Sequence, residues 1–480
     1  MSTSRYILEG GHVITMDADH GELPNGAVLV EDDRIVAVAR SAEEFAAVDA
    51  ERIDATGGVV LPGMIDSHRH TWMALLRGIS ADQSLMQFLA STFYGIGSII
   101  EPEDASAAST VGALEALDAG VTTILDCHDC VNSIDHARAD IEALRATGIR
   151  SVYAYGMQQY DYRPPAFLSH NQRLDAAATI RSEYFSSDGD LSRMGMLYSD
   201  FGTVTFAETA AEIEKVGELG ILGASHTGAA TSSILLRGLH ELHHRGLLLP
   251  GHLHIHCPAL DDREWQLLAD TGAKVTIAPE TEMQMGMGHP PFRAALDHGL
   301  APGISTDIVC VGSGDLFSQM RLGLQFQRAL DHTRVHATGT MPTTVGLGVH
   351  DALTWATRNS AAALGLEDRI GSITVGKQAD LIVVKPRMDL VRSSYPAGSV
   401  VLQSTAADVE TVMVDGKIRK RDGRLVGQDL DAVRTRANVA LDRIEKAAAT
   451  LTKYTDPEIF GWFTQAERTA SVNFAQAYVD

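Results

Sequence analysis

The stretch Pro62-Gly63-Met64-Ile65-Asp66-Ser67-His68-Arg69-His70 decides the fold. Proline and glycine punctuate the chain, an apolar pair opens a strand, and two imidazoles follow two residues apart. In extended backbone, residues i and i+2 point to the same side, so both rings can reach one metal ion. A lone His-x-His arises often by chance, and its weight here comes from what recurs downstream. His226 follows Ile221-Leu222-Gly223-Ala224, His256 ends Leu253-His254-Ile255, and Asp307 follows Gly303-Ile304-Ser305-Thr306.

Working outward, apolar β-branched runs at 121–125, 151–155, 194–198, 220–222, 253–256, 274–277 and 301–305 alternate with helical stretches such as 102–117. With Met64-Ile65 as the first strand, the reading reaches eight strands. That alternation predicts an α/β fold, a closed (β/α)8 TIM barrel over residues 63–370 whose chemistry sits at the C-terminal ends of its strands. His68, His70, His226, His256 and Asp307 would then converge on one mouth.

The flanks read differently. Short apolar runs at 6–8, 12–16, 27–31, 34–38 and 59–61 are joined by tight turns such as Asn25-Gly26 and Asp32-Asp33, and similar runs return at 380–384, 400–402 and 409–415. Neither set can bury a core alone, so residues 1–62 and 371–428 are expected to form one small β-sandwich into which the barrel is inserted. Residues 429–480 read as a C-terminal extension, helical to 453 and then an aromatic packing tail.

Composition excludes several classes. The 480 residues are 45% hydrophobic and carry 39 Lys+Arg against 62 Asp+Glu, a formal net charge of −23. Such a chain folds, and its charge repels phosphate backbones and anionic lipids, which argues against nucleic-acid and membrane partners. No segment supplies the ~18 apolar residues of a membrane span, and no leader pattern opens the chain. Cys127-His128-Asp129-Cys130 is a lone CxxC, and four cysteines make no disulfide scaffold; reduced thiols and a cytoplasmic location are expected.

The residues from Pro62 to His70 resemble the opening metal motif of the amidohydrolase superfamily. His226, His256 and Asp307 fall in the order of its strand-five, strand-six and strand-eight ligands. Residues 366–384 and Val414-Asp415-Gly416-Lys417 resemble its return into the β-sandwich and final hairpin. The likeness runs to about Val426 and is greatest to the cytosine deaminase-like branch, with its triazine hydrolases and adenosine-derivative and guanine deaminases. Binuclear relatives use a carboxylated strand-four lysine, whereas this chain has no lysine before Lys215, which lies in a predicted helix. The resemblance therefore implies one divalent ion on His68, His70, His226 and Asp307, with Zn2+ expected and Fe2+ or Mn2+ as alternatives. The ion would lower the pKa of its water to ~7, making hydroxide available at neutral pH.

From the chemistry at an attacked sp2 carbon, Asp307 is placed to take the water proton and His256 to bond the nucleophile or polarise the substrate. One departure matters. In the branch a glutamate usually follows the strand-five histidine by three residues, but His226-Thr227-Gly228-Ala229 ends in alanine. Candidate replacement proton donors are His128, Glu280, Glu282 and His254; in a regular strand His254 and His256 share a face, and only a bulge would separate them. Trp72, Met283, Met285, Met287 and His289 are expected near the mouth, where thioethers and an indole suit a flat ring.

The expected activity is hydrolysis of a C–N bond in a cyclic amidine or aminated heterocycle, chiefly deamination of a small purine, pyrimidine, pterin or triazine-like substrate. The alternative that Ala229 motivates is loss of an amide, N-alkylamine or halide substituent from an azine. A silent scaffold is a third reading, opposed by the intact ligand set. The resemblance also implies a homo-oligomer, a dimer or larger.

Overall fold

The computed structural model describes residues 4–473 except 188, 230–237 and 389. The N-terminal segment supplies β1 (Arg5–Glu9), β2 (His12–Ile14), β3 (Glu22–Leu23), β4 (Ala27–Glu31), β5 (Arg34–Ala39), β6 (Glu51–Asp54) and β7 (Val59–Pro62). The barrel strands follow: β8 (Met64–Arg69), β9 (Val121–His128), β10 (Arg150–Gly156), β11 (Ser192–Leu197), β12 (Leu222–Thr227), β13 (Leu253–His256), β14 (Lys274–Ile277) and β15 (Gly303–Ile304). The chain returns through β16 (Leu381–Val384), β17 (Val409–Val414), β18 (Lys417–Arg421) and β19 (Arg424–Leu425).

Strands β8 to β15 pair in sequence order, each parallel to the next. A parallel bridge between Arg69 and Asp307 closes the ring: Asp307 N–H donates to the His68 carbonyl, and His70 N–H to the Asp307 carbonyl, each at 3.0 Å. The fold is thus the expected eight-stranded α/β barrel. Its interior holds one cluster of small and branched side chains, among them Ile65, Leu125, Val152, Leu197, Leu253 and Ile255.

Gly63 sets the first strand. A Cβ there would lie 2.1 Å from Thr122 Oγ1, so only glycine lets β8 start flush against β9. The strand expected at 220–222 begins later because Gly220, at φ +61°, is the left-handed cap that ends helix Phe206–Leu219. The shift carries His226 into the end of β12.

The terminal segments meet as two sheets. β1, β4, β5 and β6 form one, ordered β5-β4-β1-β6; the other runs β19-β18-β17-β16-β7-β2-β3, with β16 antiparallel to β7 from Leu381↔Pro62 to Val384↔Val59. Leu8, Val28, Val30 and Ile35 of the first bury against Val60, Leu381, Val383 and Met413 of the second, so neither segment covers its own apolar face. The expected strand at 400–402 is instead the end of helix Pro396–Leu402. Proline sits in its first turn, and Ala397, Val400 and Val401 bury at helical spacing. Beyond the sandwich, helix Leu430–Ala448 lies against helix Pro102–Asp118, and the aromatic tail is itself a helix, Asp456–Asn473. The last seven residues of the expected extension lie outside the described residues.

Barrel and sandwich are joined by charge as well as by sequence. Arg150, at the start of β10, donates from Nε and one terminal nitrogen to the two carboxylate oxygens of Asp380, at 2.7 and 3.0 Å, and to Asp415 Oδ1 at 2.9 Å. Burial of such a fork is tolerable because both carboxylates answer it.

Candidate active site

Strand ends place the imidazoles. His68 Nε2 lies 2.9 Å and His70 Nε2 3.3 Å from Asp307 Oδ1, and His256 Nε2 3.9 Å from Asp307 Oδ2. His226 joins His68 and His70 in a second overlapping group whose ligand atoms lie within 4.8 Å of one another. All five residues are buried.

The remote nitrogens are held from behind. His70 Nδ1 is 2.5 Å from Asp129 Oδ2 and 2.9 Å from the Cys127 carbonyl; His226 Nδ1 is 3.0 Å from Asp200 Oδ1; His256 Nδ1 is 3.3 Å from Glu282 Oε1. These acceptors keep the proton on Nδ1 and aim the Nε2 lone pair at the centre, the arrangement metal-ligating histidines require. Burial works against a charged imidazole, but the Asp129 carboxylate overrides it and holds His70 well above its ordinary range. His68, which has only the Cys127 thiol behind it, is pushed down to about 3 by burial. Asp307 stays well below the carboxylate range despite its burial because His68, His70 and His256 face it. His68 Nε2 is buried and makes no hydrogen bond, an orphan aimed into the cluster. Three imidazoles, one of them with its inward nitrogen unused, and one carboxylate fit a divalent cation.

Two turns in the backbone complete the geometry. His256 and Cys257 have φ of +75° and +63°, and Asp307 +60°. Non-glycine residues in the left-handed region are strained, and strain of this kind collects at functional sites. The turn at His256 settles the question of which strand-six histidine faces the cluster. His254 remains on the outer face of β13, with Nδ1 2.9 Å from Thr227 Oγ1, while His256 swings into the mouth.

A narrow cavity of about 60 Å³ opens beside the cluster. His70, Asp200, His226, His256 and Asp307 form its polar wall, and Met73, Leu85, Phe88, Leu89, Phe93, Met285, Met287 and Ile308 its apolar one. Ala229 lines it too.

Several expected residues stand elsewhere. His128 is on the outer face of β9, 3.6 Å from Asp140, away from the cavity. Glu282 stands behind His256 and accepts from the Ala278 amide at 2.8 Å. Glu280 binds the Ser313 amide and Gln319, away from the cavity wall. Trp72 is buried, its Nε1–H donating to Asp129 Oδ2 at 3.0 Å, so it holds a carboxylate instead of lining the cavity. Met283 lies off the cavity wall, and His289 is exposed, its ring stacked on Phe326 at 5.2 Å. Asp129, Asp200 and the helical wall from Leu85 to Phe93 were not singled out in the sequence. Their signal was present for the two carboxylates, which sit just past the ends of β9 and β11.

Candidate metal-binding groups at the mouth of a (β/α)8 barrel with a fused β-sandwich define a class of metal-dependent hydrolases. Residues 59–419 match the amidohydrolase family, and the chain belongs to it, an enzyme acting on carbon–nitrogen bonds. It is 28% identical to 5-methylthioadenosine/S-adenosylhomocysteine deaminase of Symbiobacterium thermophilum, over 94% of this chain and 99% of the other. It is 27% identical to 5'-deoxyadenosine deaminase of Methanosarcina acetivorans, over 91% and 98%. Among solved structures it resembles an adenosine deaminase from Xanthomonas campestris with bound zinc, at 23% identity, TM-score 0.80, 92% of this chain and 99% of that one. It also resembles a variant of atrazine chlorohydrolase from Arthrobacter aurescens complexed with zinc and atraton, at 20% identity, TM-score 0.78, 91% and 100%. These two show the fold. Among the described residues no helix is long and apolar enough to cross a membrane.

Proposed function

We propose that the chain hydrolyses an aminated nitrogen heterocycle, releasing ammonia, at a single divalent ion held by His68, His70, His226 and Asp307. The observation that carries this reading is the convergence of these four residues beside a narrow, largely apolar cavity. Zinc is the ion proposed, since three imidazoles and a carboxylate suit it and the two solved relatives hold it. When bound, such an ion supplies Lewis acidity and a nucleophilic water at neutral pH.

The protein's own groups do the rest. Asp307, anionic and backed by three imidazoles, accepts the proton that the attacking water loses. His256, steadied at Nδ1 by Glu282, presents its Nε2 lone pair on the side facing Asp307, where it accepts a hydrogen bond from the attacking water and orients it. The methionine and phenylalanine wall excludes water and holds the ring flat against the imidazoles. With Ala229 in the wall, Asp200 and Asp307 are the carboxylates left facing the cavity to pass a proton to the leaving group.

Ala229 favours a second reading as well, loss of an N-alkylamine, amide or halide substituent; a halide leaves as its anion and needs no acid, whereas an amine takes up a proton as ammonia does. Cytoplasmic location and a homo-oligomer, dimer or larger, belong to the same proposal; four unpaired, buried cysteines suit a reducing compartment.

The test is an ammonia-release screen over purines, pyrimidines, pterins and triazines on metal-loaded protein, beside Asp307→Asn. Turnover in the wild type that falls at least ~1,000-fold in the variant supports the reading. Product without ammonia selects the second reading, and undiminished turnover in Asp307→Asn refutes the site. Ala229→Glu is expected to raise deamination of aminoazines; no gain in initial rate means that Asp200 or Asp307 already serves.

A further inference from the structure

On the far side of β9 from the cavity lies a polar cluster that the proposed reaction leaves unused. Strand parity sends Cys127 inward to His68 and turns Asp126 and His128 outward, under helix Ile134–Thr147, which contributes Asp140. The three present ligand atoms within 4.8 Å of one another, and all three side chains are fully buried. Asp126 Oδ2, both ring nitrogens of His128 and the phenol oxygen of the neighbouring Tyr153 are buried without a hydrogen-bond partner, and the Asp140 carboxylate faces Asp126 and the Ser109 hydroxyl. The Tyr153 and His128 rings are 5.9 Å apart.

Buried polar groups are nearly always satisfied, so a group of orphans in one place needs an explanation. Two facing carboxylates cannot both be anionic in an apolar layer unless a cation answers them. Burial and the facing Asp126 hold Asp140 well above the usual carboxylate range. A shared proton would relieve that repulsion, yet it leaves His128 unbonded at both nitrogens. A divalent ion answers the carboxylates and the imidazole together.

We propose that Asp126, His128 and Asp140 form a second divalent-cation site, structural in role, behind β9 and separate from the catalytic cluster. Two carboxylate oxygens and one imidazole nitrogen, with the Tyr153 phenol at hand, select a first-row ion such as Mn2+, Fe2+ or Zn2+ over Ca2+, which prefers oxygen alone, and over Cu+, which prefers thiolate. The ion would clamp the outer face of β9 to helix Ile134–Thr147. It would also fix the platform behind His70: Asp126 Oδ1 accepts from the Thr71 amide at 3.1 Å and hydroxyl at 2.6 Å, and Asp129 follows His128 directly.

The test is metal stoichiometry on full-length protein, stripped with chelator, reloaded with excess Mn2+ or Zn2+ and freed of unbound ion. The wild type is expected to hold two ions per chain, His128→Ala and Asp140→Asn one, and Asp307→Asn one. Asp140→Asn keeps the side chain's shape should His128→Ala misfold. A wild-type count of one that Asp307→Asn abolishes and Asp140→Asn leaves unchanged overturns the second site while sparing the catalytic one. A count of one lost in Asp140→Asn and kept in Asp307→Asn upholds it and instead sinks the catalytic reading.

Discussion

At the residue scale, the carboxylates behind the imidazoles matter as much as the imidazoles. Asp129 takes both the His70 Nδ1 proton and the Trp72 indole N–H. Asp129→Asn leaves the four proposed ligands in place but weakens the acceptor that fixes the His70 tautomer. Ion affinity is expected to fall about 10–100-fold, measurable by competition with a chromogenic chelator, with unchanged affinity counting against the role. The proposed ligands could be singled out in the sequence because each lies at or just past the end of a predicted barrel strand. The choice between His254 and His256 could not be made there. Alternation along a strand gives both the same face, and what parts them is a left-handed φ at His256, a conformation that only glycine or asparagine would have announced. Asp307 hides the same device. His128 misled for the opposite reason: it sits in the right motif, at a strand end, but on the wrong parity.

At the element scale, eight strands could be counted from periodicity alone, whereas their ends depended on caps. Gly220 closes a helix, so β12 begins at Leu222 and delivers His226 from inside the strand. The apolar triplet at 400–402 was ambiguous between strand and helix, as short apolar runs are, and Pro396 tips it to helix. Gly63 is the element-scale position most open to test. Gly63→Ala drives a methyl into Thr122, a branched and fully buried neighbour that cannot rotate away, so β8 must lift from β9. A loss of about 1–3 kcal/mol in urea unfolding is expected, together with a fall in turnover, since β8 carries His68 and His70. A variant as stable and active as the wild type would show that the strand start tolerates the shift.

At the scale of the whole molecule, buried neutral histidines set an acid limit. His254 is pushed down to about 3 and His128 to about 4, chiefly by burial. Folding keeps these rings neutral, so as pH falls below ~6.5 the unfolded chain takes up protons that the native one refuses. Each of these two rings is therefore expected to add no slope above that pH and to cost stability below it, by about 2 kcal/mol per group between pH 6.5 and 5. Urea midpoints measured across that range check the sign, and His254→Gln should flatten the slope.

The closing rung of the barrel has a consequence for how the molecule breathes. Strand β15 is two residues long, and the ring is completed by the backbone of Asp307 lying between His68 and His70, the residues whose side chains converge on the same centre. An occupied centre staples that seam; an emptied one leaves its mouth end to two backbone bonds, beside side-chain bonds deeper in the seam such as Thr306 N–H to Asp66 Oδ1 and the Ser67 hydroxyl to the Ile304 carbonyl, each at 3.0 Å. Deuterium uptake at the amides of Asp307 and His70 should therefore quicken on chelation while the amides of β10 and β11 stay protected. The seam would then report occupancy before any global unfolding, and equal uptake with and without the ion would show that closure does not depend on it.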